Sequence, residues 1–285
     1  MILKGIYKNK SLSFYITLIM LLMLFSLCVT YIITSFIIDY STIILVDNMY
    51  NSESLLKLKL IQVLNGIGLF IIPSIIYLYM TGLEVSMIKT NRQAVLLVLV
   101  IILCLNPIIT VLYQFNQLLP LSDWLLEYEK KAKLLTDALL NMYSTRDLIV
   151  NILSLALIPA VAEELFFRAI LQKTIVNHTR SIHIGVIITS IIFSAVHMQF
   201  HGFLPRLLLG GLLGYLFVFS RSLTLPIIAH FFNNTMVILF SYPAFVKYIY
   251  FNQERVQFSE FLIALLLVCL LSYLLYKNLQ NYSRP

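Results

Sequence analysis

Long apolar runs recur along the whole chain, and they constrain its fold more than any other feature of the sequence. Each is long enough, at about 17–25 residues, to cross the hydrocarbon layer of a membrane. Only 12% of the 285 residues are charged, against about 25% in soluble proteins. Because backbone groups in lipid need internal partners, and because the alternation of β-barrel strands is absent, the runs predict an all-α, polytopic transmembrane bundle.

The apolar runs predict eight membrane-spanning helices. Their expected positions are residues 12–38, 58–81, 94–115, 148–173, 184–200, 203–219, 224–241 and 259–277. The fifth and sixth are short and are joined by a tight turn at Gly202 and Pro205, so this pair need not cross the whole bilayer. We group the chain, which forms one domain, into a three-span region at 1–115, an extramembrane segment at 116–147 and a five-span region at 148–285.

The segment at 116–147 carries apolar residues at roughly helical spacing among mixed charges. This pattern predicts an amphipathic helix near 120–142 that lies on the membrane surface, with Trp124 at the depth of the lipid headgroups. Two roles remain open for this helix. It can simply cover one end of the bundle, or it can act as a lid that controls the entry of a substrate.

The formal net charge of +7 arises from 20 Lys and Arg residues against 13 Asp and Glu residues. In a soluble protein this balance would suggest nucleic-acid binding. Here the basic residues lie mostly in short loops at one end of the predicted bundle, including 82–93 and 174–183, whereas the 39–57 loop is acidic. Basic loops mark the cytoplasmic side, so we expect both termini in the cytoplasm and no nucleic-acid partner.

The reactive residues within the predicted spans are concentrated in the C-terminal half. They are Glu163, Glu164, Arg168, His197, His230 and Asn234. A charged residue at the bilayer centre costs about 2.5–3.5 kcal/mol on insertion scales, so such residues usually mark function. The structural alternative is a buried network of ion pairs that locks the helices together.

Helical spacing indicates which of these side chains can meet. Glu164 and Arg168 are four residues apart, so they share a face and can pair. Glu163 points about 100° away from Glu164, and we therefore expect it to face a different neighbour.

Two further pairs share helix faces, namely Phe193 with His197 and His230 with Asn234. Counted at ~1.5 Å per residue from the predicted cytoplasmic ends, Glu163, His197 and His230 lie about 15, 20 and 9 Å deep. These residues can therefore converge on one site only if the helices are tilted or shortened.

Three motifs stand in order on separate predicted spans: EExxxR at 163–168, FxxxH at 193–197 and HxxxN at 230–234. In this order they resemble the CPBP family of intramembrane proteases. That family includes the type II CAAX prenyl endopeptidases and the bacterial Abi and bacteriocin-processing proteins. The resemblance covers about residues 145–241, with a catalytic core at 148–241, and the first three spans carry no recognised motif.

The resemblance implies a catalytic group made of Glu163, His197, His230 and Asn234. Glu163 would be the general base that activates a water, and His197 would hold and polarise that water. His230 and Asn234 would stabilise the oxyanion of the tetrahedral intermediate. A carboxylate in a dry site suits the role of base, and fixed donors stabilise charge better there than in water.

Three residues are implied to support this group: Glu164, Arg168 and Phe193. Glu164 and Arg168 would form a structural pair that fixes their helix and keeps Glu163 aimed.

A divalent metal is a second interpretation of the same group. Glu163, His197, His230 and Asn234 can ligate zinc together with a water. The HExxH motif of many zinc proteases is absent, and a glutamate-activated water without a metal would use the same four residues. The sequence leaves both interpretations open.

The resemblance implies hydrolysis of a peptide bond in a membrane-associated protein or peptide, with the lipid bilayer as the other partner. Prenylated CAAX-type termini and bacteriocin or pheromone leaders are the substrate classes, and the expected location is a bacterial plasma membrane. The alternative function is a non-catalytic scaffold or immunity protein that binds a membrane peptide in the same cavity. A proton-coupled transporter is disfavoured, because the polar residues are confined to one half of the chain.

Overall fold

The computed structural model describes residues 4–40, 43, 45–46, 49–87, 90–243 and 256–282. The protein is an all-α helical bundle with a short β-hairpin after its first helix. Parts of the predicted loops at 39–57 and 82–93 lie outside the described residues.

The elements follow one another with mostly short connections. Their bounds are α1 (Leu12–Ile37), β1 (Leu45–Val46), β2 (Met49–Tyr50), α2 (Ser52–Asn65), α3 (Ile72–Thr81), α4 (Arg92–Cys104), α5 (Asn106–Gln117), α6 (Asp123–Leu140), α7 (Thr145–Asn151), α8 (Ile158–Glu164), α9 (Lys173–Thr179), α10 (Ile182–Ala195), α11 (Phe203–Ser220), α12 (Thr224–Ser241) and α13 (Phe258–Tyr282). Three π-helical turns, at Gly66–Ile71, Ile152–Leu157 and Leu165–Gln172, join α2 to α3, α7 to α8 and α8 to α9.

Seven helical stretches in the described part of the chain are long and apolar enough to cross a membrane. They are Leu12–Ile37, Glu53–Thr81, Arg92–Gln117, Thr145–Thr179, Phe203–Ser220, Thr224–Ser241 and Phe258–Asn281. They correspond to seven of the eight predicted spans. The remaining predicted span, the fifth in the chain at 184–200, corresponds to α10, an apolar helix of only 14 residues. This span was expected to be short. The predicted fold class is confirmed.

The predicted amphipathic helix is α6, which lies within the expected segment 120–142. None of its residues is buried, and two ion pairs, Glu127–Lys131 and Lys133–Asp137, lie on its exposed face. Its position on a membrane surface stays a prediction.

The long helical stretch Thr145–Thr179 carries both glutamates of the EExxxR motif. It begins with a capping box, in which the side chains of Ser144 and Asp147 each accept a backbone N–H of the first turn. It ends at Arg180, whose left-handed backbone conformation stops the helix.

Two π-helical turns flank the segment that holds Glu163 and Glu164. The turn at Ile152–Leu157 precedes Pro159, whose ring nitrogen has no proton to donate to the preceding helical turn. The turn at Leu165–Gln172 begins directly after Glu164. Because π-helical turns pair each residue with the fifth rather than the fourth along, they shift these side chains from their positions on a regular α-helix.

Helices α10 and α11 form an antiparallel hairpin. A Cβ at Gly210 would lie 3.1 Å from the side chain of Ser190, and one at Gly214 would lie 3.0 Å from that of Val186. These glycines let the two backbones approach closely, which is how helices commonly pack in lipid. The tip of the hairpin, residues 196–202, therefore holds the histidine of the FxxxH motif in a defined place.

An aromatic cluster packs behind the glutamates. The rings of Phe167 and Phe193 meet edge to face with centroids 5.2 Å apart, and Phe166 meets Phe167 in the same way at 5.1 Å. Tyr15 and Tyr77 belong to the same buried cluster. Because helices in lipid gain little from the hydrophobic effect, such close packing supplies much of their association.

Candidate active site

One cavity brings the four predicted catalytic residues together. Its volume is about 930 Å³, and its walls include Glu163 at the end of α8, His197 after α10, and His230 and Asn234 in α12. Helix α12 packs against α8, and this packing sets the two HxxxN side chains opposite the glutamates. The predicted convergence of these residues is therefore present in the fold.

Glu164, Arg168 and His230 form a buried network beneath the cavity. Glu164 Oε2 accepts a hydrogen bond from Arg168 Nε at 2.8 Å, and its Oε1 accepts one from His230 Nδ1 at 2.9 Å. Glu164 and Arg168 are both completely buried. A buried ion pair is tolerated only with such direct geometry, and the predicted pairing of Glu164 with Arg168 is present.

The guanidinium of Arg168 also lies over the ring of Phe193, 5.4 Å from its centroid. Its Nη1 and Nη2 have no hydrogen-bond partner among the described residues. The ring therefore supplies part of the stabilisation that this buried cation lacks from hydrogen bonds.

Glu163 does not share Arg168, the partner of Glu164, but both glutamates have His230 as a neighbour, which helical spacing did not predict. His230 lies between the two carboxylates: its Nδ1 bonds Glu164, and its Nε2 lies 3.9 Å from Glu163 Oε2. The two ring nitrogens of an imidazole point in different directions, so one ring spans the angle between consecutive residues of a helix.

Glu163 is placed differently from Glu164. Its side chain is 15% exposed and it lines the cavity. Its Oε2 is buried and has no hydrogen-bond partner among the described residues. An unsatisfied buried carboxylate oxygen is uncommon in a folded protein, so Glu163 lacks the partner that a purely structural carboxylate would have.

His197 is held by its own helix. Its Nδ1 donates to the backbone carbonyl of Phe193 at 2.8 Å, which leaves Nε2 as a hydrogen-bond acceptor. The Phe193 ring packs edge to face on His197 at 5.2 Å and on His230 at 5.8 Å. Phe193 thus orients both imidazoles, in line with the supporting role expected for it.

Asn234 is linked to a neighbour that the motif does not include. The side-chain amide of Asn233 donates to Asn234 Oδ1 at 3.2 Å, and both residues line the cavity. This bond uses one of the two lone pairs of the Asn234 oxygen. The Asn234 NH₂ group has no acceptor among the described residues, so it can donate to a ligand.

The metal hypothesis fits the residue types better than their arrangement. Each histidine donates Nδ1–H to a carboxylate or carbonyl, which is the orientation typical of metal-ligating histidines. In the described part of the chain, however, no group of three or more His, Cys, Asp or Glu side chains is placed to hold a metal ion.

The sequence motifs missed several residues of the cavity. Arg206 and Gln199 line it near His197, and α6 contributes a wall that includes Tyr128 and Lys131. Arg206 follows the turn at Gly202 and Pro205, and basic residues are common at the ends of membrane spans, so the sequence does not single it out. Its place in the cavity becomes visible only in the fold, which turns the hairpin tip towards the cavity.

Comparison with known proteins supports the resemblance over the segment that carries the motifs. Residues 145–236 match the family model described as Type II CAAX prenyl endopeptidase Rce1-like. This segment contains all three motifs, and the match agrees with the resemblance to the CPBP family that they suggested. No curated protein and no solved structure matches the chain.

Proposed function

We propose that this protein is an intramembrane endopeptidase that hydrolyses a peptide bond of a membrane-associated protein or peptide with a water activated by Glu163. One observation carries the proposal: the unpartnered Oε2 of Glu163 lies 3.9 Å from His230 Nε2 in a cavity that His197 and Asn234 also line. The family match over residues 145–236 supports the same class of reaction.

Glu163 acts as the base. It takes a proton from a water molecule as the water oxygen attacks the carbonyl carbon of the scissile bond, and it later returns that proton to the leaving amine. Nε2 of His197 accepts the second hydrogen of the water and so fixes its direction. General acid–base catalysis of this kind contributes about 10²–10⁴-fold in rate.

His230 and Asn234 stabilise the tetrahedral oxyanion. This role requires a proton on both ring nitrogens of His230, so that Nδ1–H donates to Glu164 and Nε2–H donates to the oxyanion. The NH₂ group of Asn234 supplies a second donor. Helix α6 covers this site and excludes bulk water from it. Under these conditions the loss of one such donor costs about 10²–10³-fold in rate.

A cell assay with site variants tests the proposal. Wild type, Glu163→Gln, His197→Ala and Asp137→Asn are expressed to equal membrane abundance, and cleaved membrane peptides are identified by mass spectrometry. Asp137 lies on the exposed face of α6 and pairs with Lys133, and neither residue lines the cavity, so Asp137→Asn is the matched control. We expect the same cleavage products from wild type and this control, and none from either site variant.

The non-catalytic scaffold is the competing outcome of the same assay. A scaffold needs the cavity but not the base, so its cellular effect would persist in Glu163→Gln. Product formation by both site variants would remove Glu163 and His197 from the reaction and overturn the mechanism.

Metal dependence is tested separately on the purified protein. Because the described residues do not place three strong ligands together, we expect cleavage to survive a strong zinc chelator. Loss of cleavage on chelation, with recovery on addition of zinc, would instead support a metal held by the four residues.

A further inference from the structure

Arg206 is a cation of the cavity to which the mechanism assigns no role. It lies in the first turn of α11, on the same cavity as Glu163 and His197. Lys131 also lines this cavity, but its charge is neutralised by Glu127 at 2.7 Å. Glu129 and Glu163 interact electrostatically with Arg206, but among the described residues no carboxylate lies within ion-pair distance of it, so a ligand can still pair with its guanidinium.

The guanidinium of Arg206 is fixed in place. Its Nη1 donates to the backbone carbonyl of Gln199 at 2.9 Å, and its Nη2 donates to the Gln199 side chain. A Cβ at Gly202 would lie 2.6 Å from Nη1, so the group lies flat against the hairpin tip. A guanidinium has five N–H donors, and these two bonds leave donors free for a ligand.

The walls around Arg206 make an anion the matching ligand. Leu209, Phe193 and Val237 line the same cavity as Arg206, and a guanidinium in a partly apolar cavity attracts a carboxylate more strongly than it would in water. Arginine binds carboxylates through paired N–H donors, and a group already held by Gln199 loses little freedom when it does so.

We propose that Arg206 is a specificity-determining residue that binds a carboxylate of the substrate peptide. This inference rests on the proposed function. A volume of about 930 Å³ corresponds to a sphere ~12 Å across, the length of three to four extended residues. The carboxylate therefore lies within a few residues of the scissile bond. An acidic side chain and a free C-terminus both supply such a group.

The test uses lipid-anchored peptides with randomised residues, placed in phosphatidylglycerol–phosphatidylethanolamine vesicles with the full-length protein. One set has a free C-terminal carboxylate, a second is amidated and neutral, and a third is amidated with one internal Glu. Cleavage is measured for wild type and for Arg206→Gln, Arg206→Lys and Arg206→Glu. Size-exclusion profiles in detergent check that each variant is folded.

We expect wild type to favour carboxylate-bearing peptides over neutral ones by at least about tenfold. Preference for the first set would identify the terminal carboxylate, and preference for the third would identify an acidic side chain. Arg206→Gln should lose the preference, and Arg206→Lys should keep part of it. Arg206→Glu should favour peptides that carry Lys in place of the carboxylate-bearing residue.

A purely structural role for Arg206 predicts a different result. If Arg206 only holds Gln199 and the hairpin tip, the variants lower cleavage of all three sets equally and selectivity is unchanged, which overturns the inference.

Capture of the same peptides by Glu163→Gln separates this inference from the proposed function. Carboxylate capture that depends on Arg206, with no cleavage by wild type, would preserve the carboxylate site and remove the protease. Capture without any preference would remove the carboxylate site even if wild type cleaves.

Discussion

Glu163 and Glu164 are consecutive residues, yet their surroundings give them different tasks. Glu164 is completely buried and bonds both Arg168 and His230. Glu163 lines the cavity, and its buried Oε2 has no hydrogen-bond partner among the described residues. The first arrangement suits a structural charge, because every charge in it has a partner. The second suits a group that reacts.

This contrast predicts opposite effects of the same substitution at the two positions. Glu164→Gln leaves the Arg168 cation buried without its counter-charge, and breaking a buried pair in this way costs about 3–5 kcal/mol. Glu163→Gln should abolish cleavage with little loss of stability. Thermal unfolding in detergent and cleavage assays measure the two effects. Removal of both charges, by Glu164→Leu with Arg168→Leu, should recover much of the stability, whereas equal unfolding temperatures for both Gln variants would contradict the division of tasks.

The two neighbouring asparagines of α12 allow a matched comparison of the proposed oxyanion donor, Asn234, with the residue that orients it, Asn233. Asn234→Ala removes the proposed oxyanion donor and should lower kcat by about 10²–10³-fold. Asn233→Ala removes the hydrogen bond that orients Asn234 and a polar group of the cavity wall, but not the proposed donor, so its effect on kcat should be clearly smaller. Steady-state cleavage of one lipid-anchored peptide gives both values. A larger loss for Asn233→Ala would exchange the roles assigned to them.

At the scale of elements, α6 and the hairpin tip are joined by one side chain. Glu129 of α6 accepts the backbone N–H of His201 through Oε1 at 3.1 Å, and its Oε2 lies 3.7 Å from His201 Nδ1. From α5, Asn116 donates to the carbonyls of Phe200 and His201 at 2.8 and 3.2 Å. The loop that carries His197 is therefore held partly by the helix that covers the cavity.

This link predicts that α6 opens when Glu129 is removed. Since no residue of α6 is buried, the helix has few contacts to hold it closed, and such regions open at low free-energy cost. Glu129→Ala should speed amide hydrogen exchange across α6. It should also lower kcat, because the loop that carries His197 loses its contact with α6. Glu127→Ala is the control, because an exposed ion pair contributes only about 0–1 kcal/mol. Equal exchange in the two variants would favour α6 as a passive cover.

For the whole molecule, the sequence was sufficient wherever composition or helical spacing alone decides the outcome. Apolar run length predicted the spans, and the i, i+4 rule predicted the contact of Glu164 with Arg168. The place of His230 between two glutamates was not predictable, because it depends on how α12 crosses α8 and on π-helical turns that no residue pattern marks. Arg206 was missed for a related reason, since its access to the cavity comes from the hairpin between α10 and α11.

Both described ends of the chain lie at one end of the bundle. Gly5 donates its N–H to the carbonyl of Tyr79 at 2.9 Å, and Asn278 accepts a hydrogen bond from Asn91 at 2.8 Å. The loop after α11 joins them, because Leu223 bonds the backbone of Ser86. Both ends lie on one side when the chain crosses the membrane an even number of times. The α10–α11 hairpin keeps this number even, because its two helices enter and return whether or not the tip crosses the whole bilayer.

The opposite end carries α6 and the hairpin tip, so the orientation of the bundle also decides which side the cavity faces. The end that holds the termini carries basic residues with few acidic ones, namely Lys8, Lys10, Arg92, Arg180, Arg221 and Lys277, whereas the basic residues of α6 are interspersed with acidic ones. This bias predicts that the termini are cytoplasmic and that α6 faces the outside of the cell. Substrates would then reach the cavity from the non-cytoplasmic side, which favours exported leader peptides over cytoplasmic CAAX termini.

Single cysteines and a membrane-impermeant thiol reagent test this orientation in intact bacterial cells. Lys130→Cys on α6 should be labelled in intact cells, and Lys10→Cys only after permeabilisation. The unaltered chain gives the background from Cys28, Cys104 and Cys269, which lie in apolar spans. Labelling of Lys10→Cys in intact cells would reverse the orientation, turn the cavity towards the cytoplasm and make cytoplasmic termini the better substrates. Labelling of both positions in intact cells would contradict the arrangement of α6 and the termini at opposite ends.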